Sequence, residues 1–214
     1  MQDSGSLREW VDPASSALLV VDMQNDFCHP DGAFAKRGQD ISQALEILPT
    51  VKRVMAEART ASVPVFIIRV VRGEDTRWPA LERVSRLAFG SDFMPVFVEG
   101  TWGAELAEGL EPQSGDIQLD KNRYGAFTGT NLDLMLKNKG VETLVVIGGA
   151  TNVCVESTVR EGFMLGYNIV MIEDACAATT PEYHEGTLAT VRVWFGRVEK
   201  ADDVIAAWGE RRDA

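Results

Sequence analysis

The chain has 214 residues, 45% hydrophobic and 25% charged, a globular composition that excludes disordered, fibrous and low-complexity classes. Asp and Glu number 32 against 21 Lys and Arg, for a formal net charge of −11. Such a surface is repelled by phosphate backbones and anionic lipid, so neither nucleic acid nor a membrane is an expected partner. Three cysteines and two histidines are too few for a disulfide scaffold. With no secretory apolar region at the start and no run near the ~20 residues of a membrane span, the expected location is cytoplasmic.

In chain order, residues 1–16 read as an N-terminal arm, 17–208 as one domain and 209–214 as a tail. Residues 17–21 (ALLVV) are apolar on both faces, as a parallel strand covered by helices on both sides would be. Asp40, Ser42 and Gln43 have capping-box spacing and open a helix ending near Ser62. Pro49 predicts a kink in it, or a short helix followed by a longer one. Residues 65–71 (VFIIRVV) form the second strand. Residues 72–115 read as a helix plus an irregular excursion over the sheet edge. A shorter strand at 117–119 follows, then a helix capped at Thr130-Asn131 and closed by Gly140. Residues 143–147 (TLVVI) precede a helix over 152–166 that carries Cys154 in its first turn. Residues 169–172 (IVMI) are the next strand. Thr180 caps, and Pro181 starts, a helix through Trp194. Val198 lies in a weak sixth strand, and residues 201–208 form a last helix. This order predicts a three-layer α-β-α fold around a mostly parallel six-stranded sheet.

In open α/β sheets ligands bind outside the carboxyl ends of the strands, so the residues just after each apolar run carry the information. Asp22, Lys121 and Cys154 follow three different runs, and Glu173 to Cys176 follow a fourth. A thiol with an ordinary pKa near 8.5 needs activation. A helix first turn and a nearby ammonium would favour its thiolate. A carboxylate would accept its proton and return it to a leaving amine. Glycines at 148 and 149 leave backbone N–H groups free to face an oxyanion. Neither His29 nor His184 follows a strand, which disfavours a Cys-His pair. Cys28 and Cys176 read as non-catalytic.

Three segments, ALLVVDMQNDFCHPDG, DKNRYGAFTGTNLDLML and VIGGATNVCVESTVREGF, resemble the signature blocks of the isochorismatase-like cysteine hydrolases. That superfamily includes nicotinamidases, isochorismatase and the amidohydrolases of ureidoacrylate, N-carbamoylsarcosine and biuret. The resemblance spans about residues 17–208 and implies the same three-layer, Rossmann-like fold. It places Asp22, Lys121 and Cys154 on the family's Asp-Lys-Cys triad. It implies a cis peptide between Gly149 and Ala150, which would aim the Ala150 and Cys154 N–H groups at one oxyanion. The block at 150–162 is most similar to the ureidoacrylate group. The implied activity is therefore cysteine-dependent hydrolysis of an amide or ureido C–N bond in a small molecule, through a thioester, with release of ammonia.

Nicotinamidases carry an Asp-x-His metal motif after the second strand. Residues 69–76 here hold no histidine, so no metal and no cofactor are expected. A nicotinamidase-like or maleamate-type amidase is the alternative, and a non-catalytic small-molecule-binding or scaffold member of the fold is the reading from another class. Expected substrate contacts are Phe27, Tyr124, Asn25, Arg72 and Trp78, with Arg77, Arg123 and Phe127 as further candidates. Gln24 and Asn25 are expected to bond within the loop holding Asp22. Asn152 is a candidate helix cap, and Thr179 and Thr180 candidates to reach the pocket. The family habit implies a homo-oligomer, dimer or tetramer, with residues 72–115 and 201–208 as candidate interface elements.

Overall fold

A computed structural model describes residues 5–90 and 95–209; most of the tail expected at 209–214 lies outside them. Six strands, β1 (Ser16–Val21), β2 (Val65–Val70), β3 (Ile117–Lys121), β4 (Thr143–Gly149), β5 (Asn168–Ala177) and β6 (Arg197–Glu199), form one sheet in the order β3-β2-β1-β4-β5-β6. Every neighbouring pair is parallel. Nine helices accompany them among the described residues: α1 (Leu7–Trp10), α2 (Asn25–Cys28), α3 (Ala33–Lys36), α4 (Ser42–Thr60), α5 (Pro79–Phe89), α6 (Leu132–Asn138), α7 (Glu156–Met164), α8 (Pro181–Trp194) and α9 (Ala201–Gly209). None is long and apolar enough to cross a membrane.

Strand side chains alternate between two cores, as the two-residue period of a strand requires. Leu18, Val20, Ile67, Val145, Ile147, Val170 and Ile172 join the helices α4 and α9 on one face. Leu19, Val21, Phe66, Ile68, Leu144, Val146 and Met171 join α6, α7 and α8 on the other. The chain builds outward from β1 in one direction, returns, and continues from β4 in the other. The β1/β4 boundary is thus the switch point at which an open parallel sheet leaves a crevice.

Four local expectations are corrected. Of the kink or break expected at Pro49, the break is absent: α4 is continuous over 19 residues. Ala44, Ile47, Val51, Val54, Met55 and Ala58 supply an unbroken buried stripe, while Pro49 is exposed, where water can satisfy the carbonyl its ring deprives of a donor. The capping box does not form: Asp40 accepts the Ser42 N–H at 2.8 Å, and Gln43 Oε1 turns to the Ala178 N–H at 3.2 Å. β5 runs on past Ile172 through Cys176, beyond an irregularity in its pairing with β4 between Val146 and Gly148. Glu173 to Cys176 are therefore strand residues. β3 likewise extends to Lys121, with Asp120 paired across the sheet to Arg69 at 2.8 Å.

The excursion at 72–115 does not simply skirt the sheet edge. A 3-10 turn at Glu74–Thr76, α5 and a second 3-10 turn at Trp102–Ala104 bring Leu81, Ser85, Phe89, Val96 and Phe97 to a cavity at the carboxyl ends of the strands. Helix α9, the other proposed interface element, buries Ala201, Val204, Ala207 and Trp208 in the core with α4.

Candidate active site

Asp22 is the first residue beyond β1 and adopts φ 52°, a left-handed conformation that Asp tolerates better than most side chains. Its N–H donates to Ile68 O at 2.8 Å, which ties it to β2. Lys121, the last residue of β3, sends its side chain beneath the same crevice. Its Nζ donates to Asp22 Oδ2 (2.7 Å), Arg123 O (3.0 Å) and Tyr124 O (2.9 Å), which uses all three ammonium protons. The pair is sealed, with side-chain exposure of 0% for Lys121 and 3% for Asp22. Burial raises the Asp22 pKa above the usual carboxylate range, and the charge of Lys121 opposes that rise. Burial by itself would lower Lys121, but Asp22 and Cys154 outweigh it and hold the ammonium charged.

Cys154 reaches the same point from β4. A Cβ at Gly148 (φ 121°) would lie 2.1 Å from Val21 O, and one at Gly149 would lie 2.0 Å from the Phe27 ring. Only glycine lets β4 pass so close to the end of β1. The Gly149–Ala150 peptide is cis. Next comes a π turn, Thr151–Val155, not the α-helical first turn expected; Ala150 precedes it without a side-chain cap, and Asn152 lies inside it. Ala150 O accepts the N–H groups of Val153 (3.0 Å) and Val155 (3.2 Å), and the intervening Cys154 N–H is not among its donors. Such π turns leave a backbone amide open and recur at functional sites. The turn is pinned from several sides. Thr158 Oγ1 donates to Cys154 O at 2.7 Å, Thr187 Oγ1 donates to Glu156 Oε2 at 2.7 Å, and Thr151 Oγ1 meets His184 Nδ1 at 3.0 Å.

The expectation that helix and ammonium favour a thiolate is corrected by the surroundings. Burial first and the Asp22 charge second push the Cys154 thiol up to about 12, against the pull of Lys121 and Arg72. Near neutral pH Cys154 is therefore a thiol beside an aspartate. Asp22 Oδ1 makes no hydrogen bond of ordinary geometry with the described residues, yet the carboxylate and thiol lie near enough to shift one another's ionisation.

A cavity of about 130 Å³ joins Asp22, Cys154, Gly149 and Ala150 to Phe27, Arg72 and Tyr124. Other candidates lie elsewhere. Asn25 Nδ2 donates to Trp102 O at 2.9 Å, so its amide fastens the 72–115 excursion, and Asn25 is not among the residues lining this cavity. Gln24 reaches beyond its own loop, bonding both backbone atoms of Val70 at 2.9 Å and Ala104 O at 2.7 Å. Trp78 lines an adjoining cavity of about 370 Å³ and packs on Tyr124 with centroids 5.0 Å apart. Arg77 is engaged by Glu82 at 2.9 Å, Arg123 by Asn122 at 3.0 Å, and Phe127 lies in the core against Tyr167. Thr180 caps α8 by accepting the Tyr183 N–H at 3.4 Å.

Four contributors were not singled out in the sequence: Arg37, Phe34 and Phe97 on the cavity wall, and Asp26 behind it. Asp26 accepts the Ala33 N–H at 3.1 Å and the Phe97 N–H at 2.5 Å. No periodicity marks these positions. A buried carboxylate holding two segments 71 residues apart has no local signal.

With this geometry in view, comparison with known proteins is informative. The isochorismatase domain model matches residues 16–203. The chain belongs to the isochorismatase family. It is 35% identical over 211 residues to a ureidoacrylate amidohydrolase of Caulobacter segnis, covering 94% of this chain and 88% of that protein. Among solved structures, a cysteine hydrolase from Pseudomonas syringae pv. phaseolicola superposes with a TM-score of 0.80 at 28% identity, over 96% of this chain and 98% of that one. An N-carbamoylsarcosine amidase from Thermoplasma acidophilum gives a TM-score of 0.70 at 28% identity, over 88% and 97%. This isochorismatase-family protein is a hydrolase of carbon–nitrogen bonds other than peptide bonds.

Proposed function

We propose that the protein hydrolyses the carbamoyl C–N bond of a small ureide or linear amide, with Cys154 as nucleophile, Asp22 as general base and acid, and Lys121 holding Asp22 in place. The observation that carries this reading is Asp22, paired with the sealed Lys121, lining the same cavity as Cys154. Asp22 takes the thiol proton as sulfur attacks the substrate carbonyl. Its raised pKa narrows the gap to the thiol and lowers the cost of that transfer. The Ala150 and Cys154 N–H groups receive the oxyanion. Asp22 then protonates departing ammonia, leaving an acyl thioester or, from a ureide, a carbamoyl thioester. Water, deprotonated by Asp22, releases the acid or carbamate and restores the thiol.

Phe27 and Tyr124 are the walls for a small planar group, with Arg72 as the polar contact. The ureide class is supported by the relatives named as ureidoacrylate amidohydrolases and by the neighbour named as N-carbamoylsarcosine amidase. A cytoplasmic homo-oligomer remains part of the proposal. Its apolar contacts are best sought at Met164, Val193 and Trp194, which are exposed, rather than at α9. The test is ammonia release across ureides, N-carbamoyl amino acids and linear amides. Cys154→Ala is expected to abolish turnover with folding intact, and a variant that retained it would overturn the mechanism.

A further inference from the structure

Lys121 and Cys154 leave the sheet from β3 and β4, and β2 and β1 lie between those strands. Three strand spacings, roughly 14 Å, separate the two at the sheet. Both side chains nevertheless act on Asp22, so the segment after β3 has to be held against the turn after β4. Helix α7 supplies that hold. Thr158 Oγ1 donates to Cys154 O at 2.7 Å and accepts the Ala126 N–H at 3.2 Å. One turn on, Glu161 Oε2 accepts the Phe127 N–H at 2.9 Å, and its Oε1 accepts the Thr128 hydroxyl. Residues three apart on a helix share a face, so one side of α7 grips residues 126–128 while the π turn that opens into it carries the nucleophile. A Cβ at Gly125 would lie 2.1 Å from Glu161 Oε2, so the bare glycine gives the carboxylate its room. The same loop presents Arg123 O and Tyr124 O to the Lys121 ammonium, at 3.0 and 2.9 Å.

A threonine hydroxyl bonded to the carbonyl four residues back is common in helices. Thr158 differs in its second bond, which crosses to another segment from a position of 0% exposure. We propose that Thr158 and Glu161 are positioning residues: they fix the loop whose carbonyls seat Lys121, and so set the ammonium, and through it Asp22, against Cys154. Neither lines the catalytic cavity. The inference rests on the mechanism proposed above and adds to it the parts that hold its geometry. A hydroxyl serves both ends because one oxygen donates and accepts at once. Valine at 158 would keep the shape and lose both bonds, leaving the Ala126 N–H buried without its partner.

Lys121, Cys154 and Arg72 are the groups that act on Asp22, and Lys121 lowers the pKa of both Asp22 and Cys154. A loosened ammonium therefore raises both. Glu161 is half-buried, and Glu161→Ala is the first variant. The acid limb of its kcat/KM is expected to move up by about half a pH unit. Its Cys154 alkylation by iodoacetamide at pH 8 is expected to slow roughly threefold, a fraction of one hydrogen bond to a charged group. Glu161→Gln keeps an oxygen for the Phe127 N–H and is expected to stay near wild type. Thr158→Val is expected to exceed Glu161→Ala in both readouts, and Thr158→Ser to recover most of the loss. A lower urea midpoint with both readouts at wild-type values would make the contacts structural only and overturn the proposal. Faster alkylation, or identical behaviour of Glu161→Gln and Glu161→Ala, would overturn it too. Should Thr158→Val not fold, the two Glu161 variants decide. If wild-type protein hydrolyses no ureide or amide, the mechanism fails, while the alkylation rates still decide the positioning.

Discussion

Exchanging Asp22 for Asn removes one charge and nearly preserves the shape, so it separates base catalysis from thiol acidity. At 2.7 Å and an effective dielectric near 20, the Asp22–Lys121 attraction is roughly 6 kcal/mol before the cost of burying both charges is set against it. Breaking a buried pair typically destabilises by about 3–5 kcal/mol. The value here is expected near about 3 kcal/mol, because Lys121 keeps the Arg123 and Tyr124 carbonyls and the new amide still offers an oxygen. Turnover is expected to fall about 10²- to 10⁴-fold, the usual contribution of a positioned general base. Thiol reactivity should move the other way. The Asp22 charge holds the Cys154 proton on, while Lys121 and Arg72 pull it off, so the variant alkylates faster at pH 8. Ammonia release, iodoacetamide time courses read at the Cys154 peptide, and urea unfolding measure the three effects. Turnover close to wild type, or slower alkylation in a folded variant, would refute the reasoning.

Two further predictions address pH and positioning. The proposed mechanism requires Asp22 ionised, so kcat/KM should fall on acidification while the pH is still above the range of an ordinary carboxylate, because burial raises the Asp22 pKa. With the thiol pushed up to about 12, no rise centred near 8.5 should appear; these limbs belong to the coupled pair, and a profile that climbs through 8.5 would contradict the arrangement. Asn25→Ala loses the bond to Trp102 O and should lower stability by about 1–2 kcal/mol without raising KM for any substrate. A KM increase in a fully stable variant would return Asn25 to the substrate.

The central strands were legible because a strand buried on both faces is a continuous apolar run whatever surrounds it. The same runs marked where the chain emerges, and so brought Asp22, Lys121 and Cys154 into consideration. Less of their setting was legible. Asn25 and Trp78 sit in aromatic and amide-rich stretches that look like a pocket, yet Asn25 spends its amide on Trp102 O and Trp78 faces the neighbouring cavity. The helix at 79–89 could be suspected from its proline start, but not its position over the crevice.

By itself the sequence determined the parallel α/β architecture, a net charge of −11, and a carboxylate, an ammonium and a thiol at three strand ends. These follow from periodicity and from the rule that parallel strands deliver their ends to one edge, which local residues encode. Only the tertiary structure decided that the thiol rests protonated, that it opens from a π turn, and that Arg72 and Arg37 share its cavity. Burial and the meeting of charges remote in sequence set those outcomes: the same cysteine in a solvated helix turn beside a lysine would have been a thiolate.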